Sequence, residues 1–295
     1  MTSPALHWEV TAAPPAELGE RPVWDASSGC LIWVDINAGR LHRLVPGGAD
    51  EVIVSAGVPV GAAAPRTGGG YVLAAADGFR RIGPDGACGP AVRPAGMPAN
   101  VRFNDGACDP AGRFWAGTAA TDGQAGAGSL YRFDPDGSVT EALPGVTESN
   151  GLGWNRAATV FYYTDSGEQQ SRVRAFGFDL PTGTLGSEHD LIRFAPGDGT
   201  ADGLVVDAEG CLWIAMWDGG CVRRYSADGE LLGIYPVPAS RPTCPAFGGP
   251  ALDELFLTTS WEGLDSERRA AEPLAGHLLR ARPGVRGLAM AEFGG

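Results

Sequence analysis

Four segments of this chain set a side chain able to ligate a metal five residues ahead of a recurring Asp or Asn. They are Glu20-Arg-Pro-Val-Trp-Asp25, Asn104-Asp-Gly-Ala-Cys-Asp109, Asn150-Gly-Leu-Gly-Trp-Asn155 and Asp202-Gly-Leu-Val-Val-Asp207, and each leads into a strand-like run with an aromatic residue, at Trp33, Trp115, Tyr162 and Trp213. Two carboxylates and two amides offer four hard oxygen donors with a total charge of −2, and no His or Cys belongs to the set. Such donors suit Ca2+, Mg2+ or Mn2+, with Zn2+ left open and water filling the remaining positions. Taken singly, Asn150-Gly and Asp202-Gly read as turn residues. Agreement of register across four units overrides that reading. If the units surround an axis, Glu20, Asn104, Asn150 and Asp202 converge on one point and hold one divalent cation.

The elements that would position them are strands. Apolar or alternating runs recur at 30–36, 70–75, 113–117, 129–133, 160–164, 172–179, 211–216, 220–225 and 254–259, bounded by Gly, Pro, Asp and Asn. Asp-Gly pairs at 77–78, 85–86, 136–137 and 228–229 stand where hairpins need positive φ. No run has helical periodicity, so the fold class is all-β. The segments Asp109-Pro-Ala-Gly-Arg-Phe-Trp115 and Asp207-Ala-Glu-Gly-Cys-Leu-Trp213 are copies of one module. From Glu20 to Asn104 is 84 residues, then 46 to Asn150 and 52 to Asp202, so the first gap has room for one more unit, supplied by Gly69-Gly-Tyr71-Val-Leu-Ala. A last unit begins near Thr243. Six units, each plausibly a four-stranded sheet, specify a six-bladed β-propeller around a central metal site, with the equivalent register of the two ligand-free units near Val60 and Thr243.

Composition agrees with one domain over residues 1–295, in which 1–15 form a peripheral N-terminal segment. A formal charge of −13 argues against nucleic acid and anionic membrane as partners. The N-terminus lacks a basic then apolar leader and no stretch is apolar for 18 residues, which points to the cytoplasm. Six cysteines without a Cys-x-x-Cys pair read as buried free thiols. The four histidines lie outside the ligand segments, and there is no Gly-x-Ser-x-Gly elbow and no phosphate-cradling loop. No nucleotide or organic cofactor and no obligate protein partner is indicated.

Leu18-Gly-Glu20-Arg-Pro-Val-Trp-Asp25, Arg102-Phe-Asn-Asp-Gly-Ala-Cys-Asp-Pro-Ala-Gly-Arg113, Ser149-Asn-Gly-Leu152, Asp202-Gly, Phe247-Gly-Gly249 and the tail with Ala275-Gly-His-Leu resemble the SMP-30/gluconolactonase/luciferin-regenerating family from about residue 16 onward. The resemblance implies a six-bladed propeller with one divalent cation and hydrolysis of sugar lactones such as glucono-, galactono-, xylono- or arabinono-lactone. By motif it implies Glu20, Asn150 and Asp202 as metal ligands, and Arg102 and Asn104 as residues that hold the substrate, Asn104 reaching the ion directly or through water or substrate. Where relatives often carry a longer loop with a substrate-touching Glu, residues 118–128 are short and small-sided, and Asp122 is the candidate in its place.

The same residues suggest the chemistry directly. A cation polarises the lactone carbonyl, a carboxylate takes the proton of the attacking water, with Asp202 preferred and Asp105 the substitute, and the fork of Arg102 holds a hydroxyl or the ring oxygen. Two other readings stay open: hydrolysis of phosphotriesters or fluorophosphates on the same site, and a non-enzymatic Ca2+-binding propeller.

Overall fold

The inner strands are buried along nearly their whole length, each facing the axis on one side and its own blade on the other, and the second strands beside them are buried almost as fully. A computed structural model describes residues 6–167 and 171–295 and arranges them as six antiparallel sheets, each built outward from one such strand. The inner strands are Gly19–Asp25, Val60–Pro65, Val101–Cys108, Ser149–Trp154, Thr200–Val206 and Pro242–Gly248, for blades 1 to 6 in turn. They begin where the sequence places its six units. Asp25, Asp109, Asn155 and Asp207 end or follow four of them and hold the hairpin to the second strand: Asp207 Oδ1, for example, accepts from the backbone N–H groups of Glu209 and Cys211 at 3.0 and 2.9 Å.

Blade 6 closes the ring by pairing both ends of the chain. Its strands run Pro242–Gly248, Glu254–Thr259 and Leu279–Ala281, and its outermost strand is Glu9–Val10, in register Glu9 with Arg280 and Val10 with Leu279. The peripheral N-terminal segment read from the sequence thus contributes an edge strand, while its residues 1–5 lie outside the described part. Blade 2 departs from the four-stranded expectation. It has three regular strands, and its outer position holds only single bridges, Phe79 with Val92 and Ile82 with Cys88. Pro90 and Pro94 flank Val92 and have no N–H to give a ladder. One short helix, Ser266–Ala271, capped by Asp265, interrupts blade 6.

Large aromatics fill the spaces between blades, with Trp33, Trp115 and Trp213 almost fully buried on second strands. Their indole N–H groups donate to Asp50, Asp109 and Asp207 at 2.8 to 2.9 Å, so burial leaves no polar atom orphaned there. All six cysteines are free thiols, and all but Cys88 are buried. Among the described residues no helix is long and apolar enough to cross a membrane.

Candidate functional site

At the depth of the predicted ligands, the pairing between the inner and second strand of every blade breaks. The register slips between Glu20 and Val23, Val60 and Ala62, Ser149 and Leu152, Ala201 and Leu204, and Pro242 and Pro245, and in blade 3 opposite Gly117 and Thr118, leaving Asn104 without a partner. A bulge re-aims side chains, and a ring of six re-aims them toward the axis. Glycine makes the crowding possible. A Cβ on Gly151 would lie 2.2 Å from the Leu204 nitrogen of the next inner strand, and one on Gly203 would lie 2.5 Å from Cys244 Cβ. Gly after Asn or Asp is therefore a close-approach residue inside a strand here, which the turn reading misses.

The bulges bring Glu20, Arg102, Asn104, Asn150 and Asp202 together in one cavity of about 330 Å³ at one end of the axis. A line of hydrogen bonds crosses three blades. Arg102 Nη1 donates to Asn104 Oδ1 at 2.7 Å, Asn104 Nδ2 to Asn150 Oδ1 at 2.8 Å and to Ser149 O at 2.9 Å, Asn150 Nδ2 to Ser166 Oγ at 3.1 Å, and Ser166 Oγ to the carbonyl of Ala201, beside Asp202. Both amide orientations are fixed by this line. Each amide oxygen accepts one bond of this line, Asn104 Oδ1 from Arg102 and Asn150 Oδ1 from Asn104, and each keeps a second lone pair for a ligand.

Glu20 and Asp202 are the exception in this ordered set. Glu20 accepts only from the Arg21 backbone N–H, at 2.7 Å, and no described side chain hydrogen-bonds to Asp202. Burial pushes both carboxyls well above their ordinary range, and neighbouring acids add to it: Asp105 for Glu20, and Glu20, Glu148 and Asp105 for Asp202. Buried carboxylates that face one another without a partner call for a cation. With Asn150 they form an oxygen-only donor set that fits a hard divalent ion.

Asp105 and Asp122 are not brought into the cavity. The Asp105 side chain lies beneath the site, with Oδ1 2.6 Å from the Gly106 N–H and 3.5 Å from Nη1 of the buried Arg21. The bulge at Asn104 separates the two side chains, so that Asn104 lines the cavity and Asp105 does not. Asp122 is exposed on the loop of blade 3 and accepts from Asn100 at 2.9 Å.

Other lining residues escaped the sequence reading: Leu18, Glu148, Thr200, Ile36, Trp217, Asp218 and Glu262. A signal for the first three was present. Leu18, Arg102, Glu148 and Thr200 each stand two residues before Glu20, Asn104, Asn150 and Asp202, and positions i and i−2 of a strand share a side. Ile36, Trp217 and Glu262 follow or end second strands, so only the ring places them at the same mouth.

A second acidic cluster, Asp207, Glu209 and Cys211, lies within 4.8 Å. It is not a free donor set. Both oxygens of Asp207 are taken, Oδ1 by backbone N–H groups and Oδ2 by Trp213 Nε1 and Arg224.

A six-bladed propeller with one buried, oxygen-lined acidic pocket on its axis is thus the class defined by the fold and the site. Residues 18–261 match the SMP-30/Gluconolactonase/LRE-like region, and the chain belongs to that family. It is 40% identical to a pentonolactonase of Haloferax volcanii over 86% of this chain and 85% of the relative. It is 36% identical to a 6-deoxy-6-sulfogluconolactonase of Pseudomonas putida over 95% of this chain and 95% of that one. The crystal structure of a calcium-binding protein, regucalcin, from Agrobacterium tumefaciens superposes with a TM-score of 0.92 at 29% identity, over 99% of both chains.

Proposed function

We propose that this protein is a sugar lactone hydrolase that depends on a divalent cation held by Glu20, Asn150 and Asp202. The observation that carries the reading is the convergence of two buried carboxylates with no described side-chain donor, one oriented amide and the Arg102 guanidinium in one pocket. Relatives named for pentonolactone and for 6-deoxy-6-sulfogluconolactone support lactones as the substrate class. When bound, the cation would polarise the lactone carbonyl and offset the negative charge that develops on its oxygen.

The chain's own residues do the rest. Arg102 commits Nη1 to Phe103 O and Asn104 Oδ1, and its remaining N–H groups serve a substrate hydroxyl or the ring oxygen. Asn104, locked between Arg102 and Asn150, holds the substrate on that side. Asp202, a carboxylate lining the pocket beside the cation, takes the proton of the attacking water. Asp105 does not line the pocket, and its Oδ1 is engaged by the Gly106 N–H and faces Arg21. The test is acid release from glucono-, galactono-, xylono- and arabinono-lactones by metal-stripped protein with Ca2+, Mg2+, Mn2+ or Zn2+ restored. Hydrolysis that returns with the cation supports the reading. Spontaneous rates throughout, although the cation binds, refute it.

A further inference from the structure

The mouth of the pocket carries a wall that the reaction does not use. Trp217 ends the second strand of blade 5 and Asp218 follows it, and Glu262 follows the second strand of blade 6. One residue behind the wall holds all three. The Arg241 guanidinium lies 4.8 Å from the centroid of the Trp217 ring, its Nε donates to Asp218 Oδ1 at 2.8 Å, and its Nη1 donates to the Glu262 carbonyl. Glu262 is pinned further: its N–H donates to Ser260 Oγ at 2.9 Å, and its Oε1 accepts from Asn37 Nδ2 at 2.8 Å. Asp218 keeps a φ of +55°, a left-handed conformation that the tight turn and Arg241 maintain.

The charge that faces the pocket is lopsided. Among the described residues five acids line it, Glu20, Glu148, Asp202, Asp218 and Glu262, against one cation, Arg102, which donates to Asn104 and sits in the field of Glu148, Glu262 and Glu20 together. A divalent ion at the base would answer Glu20 and Asp202 and leave Glu148, Asp218 and Glu262 toward the mouth. Arg241 and Arg268 compensate Asp218 from outside, at 2.8 and 3.5 Å, and neither lines the cavity. An uncharged polyhydroxy compound finds acceptors for its hydroxyls and an indole for its C–H face. A substituent with negative charge meets two or three carboxylates in a partly desolvated space, where repulsion is strong.

We propose that Trp217, Asp218 and Glu262, positioned by Arg241, form the specificity wall of this site, admitting uncharged lactones and rejecting lactones that bear a terminal phosphate, sulfonate or carboxylate. The proposal rests on the lactonase reading and narrows it. The experiment compares kcat/KM of the cation-loaded protein for D-gluconolactone and for 6-phospho-D-gluconolactone, corrected for spontaneous opening, in the parent, Glu262→Gln, Glu262→Lys and Arg241→Met. The parent is expected to favour the neutral lactone by about 100-fold. Glu262→Gln reduces the preference and Glu262→Lys reduces it by about 10-fold or more, chiefly through KM for the charged substrate, and added salt narrows the gap in the parent. Arg241→Met raises KM for the neutral lactone more than it lowers kcat, which separates a loosened wall from a damaged reaction centre. Equal rates on the two substrates, or a preference unmoved by Glu262→Lys, overturns the wall and leaves the lactonase intact. No hydrolysis of either lactone above the spontaneous rate overturns both.

Discussion

Four of the six inner strands carry an acid or amide toward both ends and use the two in opposite ways. At the far end Asp109 accepts from the N–H groups of Ala111 and Arg113, from Arg113 Nε at 2.6 Å and from Trp115 Nε1 at 2.8 Å, and Asp207 is held in the same manner with Arg224 as its cation. At the pocket end, five residues before Asp207 and Asp25, Asp202 has no side-chain donor among the described residues and Glu20 has one backbone N–H. Both groups of acids are buried. The difference lies in satisfaction: a carboxylate whose lone pairs are filled by protein is structure, and one left wanting is a site. The bulges make that division, since they break the ladder only at the pocket end.

The contrast is broken most directly at Asp202. Asp202→Asn is expected to lower kcat by about 10²–10⁴-fold on the proposed lactones while the protein still folds, as steady-state rates beside circular dichroism would show. Asp109→Ala should do the reverse. It strands the buried Arg113 and the Trp115 N–H, so urea denaturation should register a loss of about 3–5 kcal/mol, with kcat of the remaining folded protein little changed. Gly151→Ala tests the packing that joins the two ends: its Cβ would lie 2.2 Å from the Leu204 nitrogen. A loss of about 1–3 kcal/mol together with a roughly 100-fold fall in rate is expected, and unchanged kinetics would detach the bulge from the site.

Proton binding sharpens the comparison further. Glu20 and Asp202 hold protons more tightly in the native, cation-free protein than in the unfolded chain. Their contribution to stability is therefore best below the unfolded value, about pH 4, and is lost as pH rises toward the raised native values. Calorimetry of cation-free protein should show Asp202→Asn gaining in Tm over the parent as pH increases through that window, and saturating Ca2+ should remove the gain. The smallest effect is expected at Asp122, exposed and tied only to Asn100 and its own loop. Asp122→Ala should change activity by no more than about twofold and stability by about 0.5 kcal/mol or less. A larger loss would place that loop over the substrate.

Much of this was legible along the chain. Asp-Gly turns, aromatic second strands and the repeated interval from ligand to turn residue are local, and they mark six units because each blade must solve the same hairpin problem. Glu20, Asn104, Asn150 and Asp202 follow from that repetition, and Arg102 came with a family motif. Glu148 and Thr200 were within reach through strand alternation alone. Blade 2's missing strand was foreshadowed by its prolines.

Other features are properties of the ring. Whether Asp105 or Asp202 faces the pocket depends on how a bulged strand twists. Glu262 reaches the pocket mouth from more than 240 residues after Glu20 because Glu9–Val10 closes on Leu279–Ala281. The Arg241 wall has no sequence signature, since its partners lie on turns of two blades. Composition and spacing determined that acids and amides would line an axis. Which of them are left unsatisfied, and so able to bind and react, was decided by tertiary packing, because hydrogen-bond satisfaction is set by neighbours in space rather than in sequence.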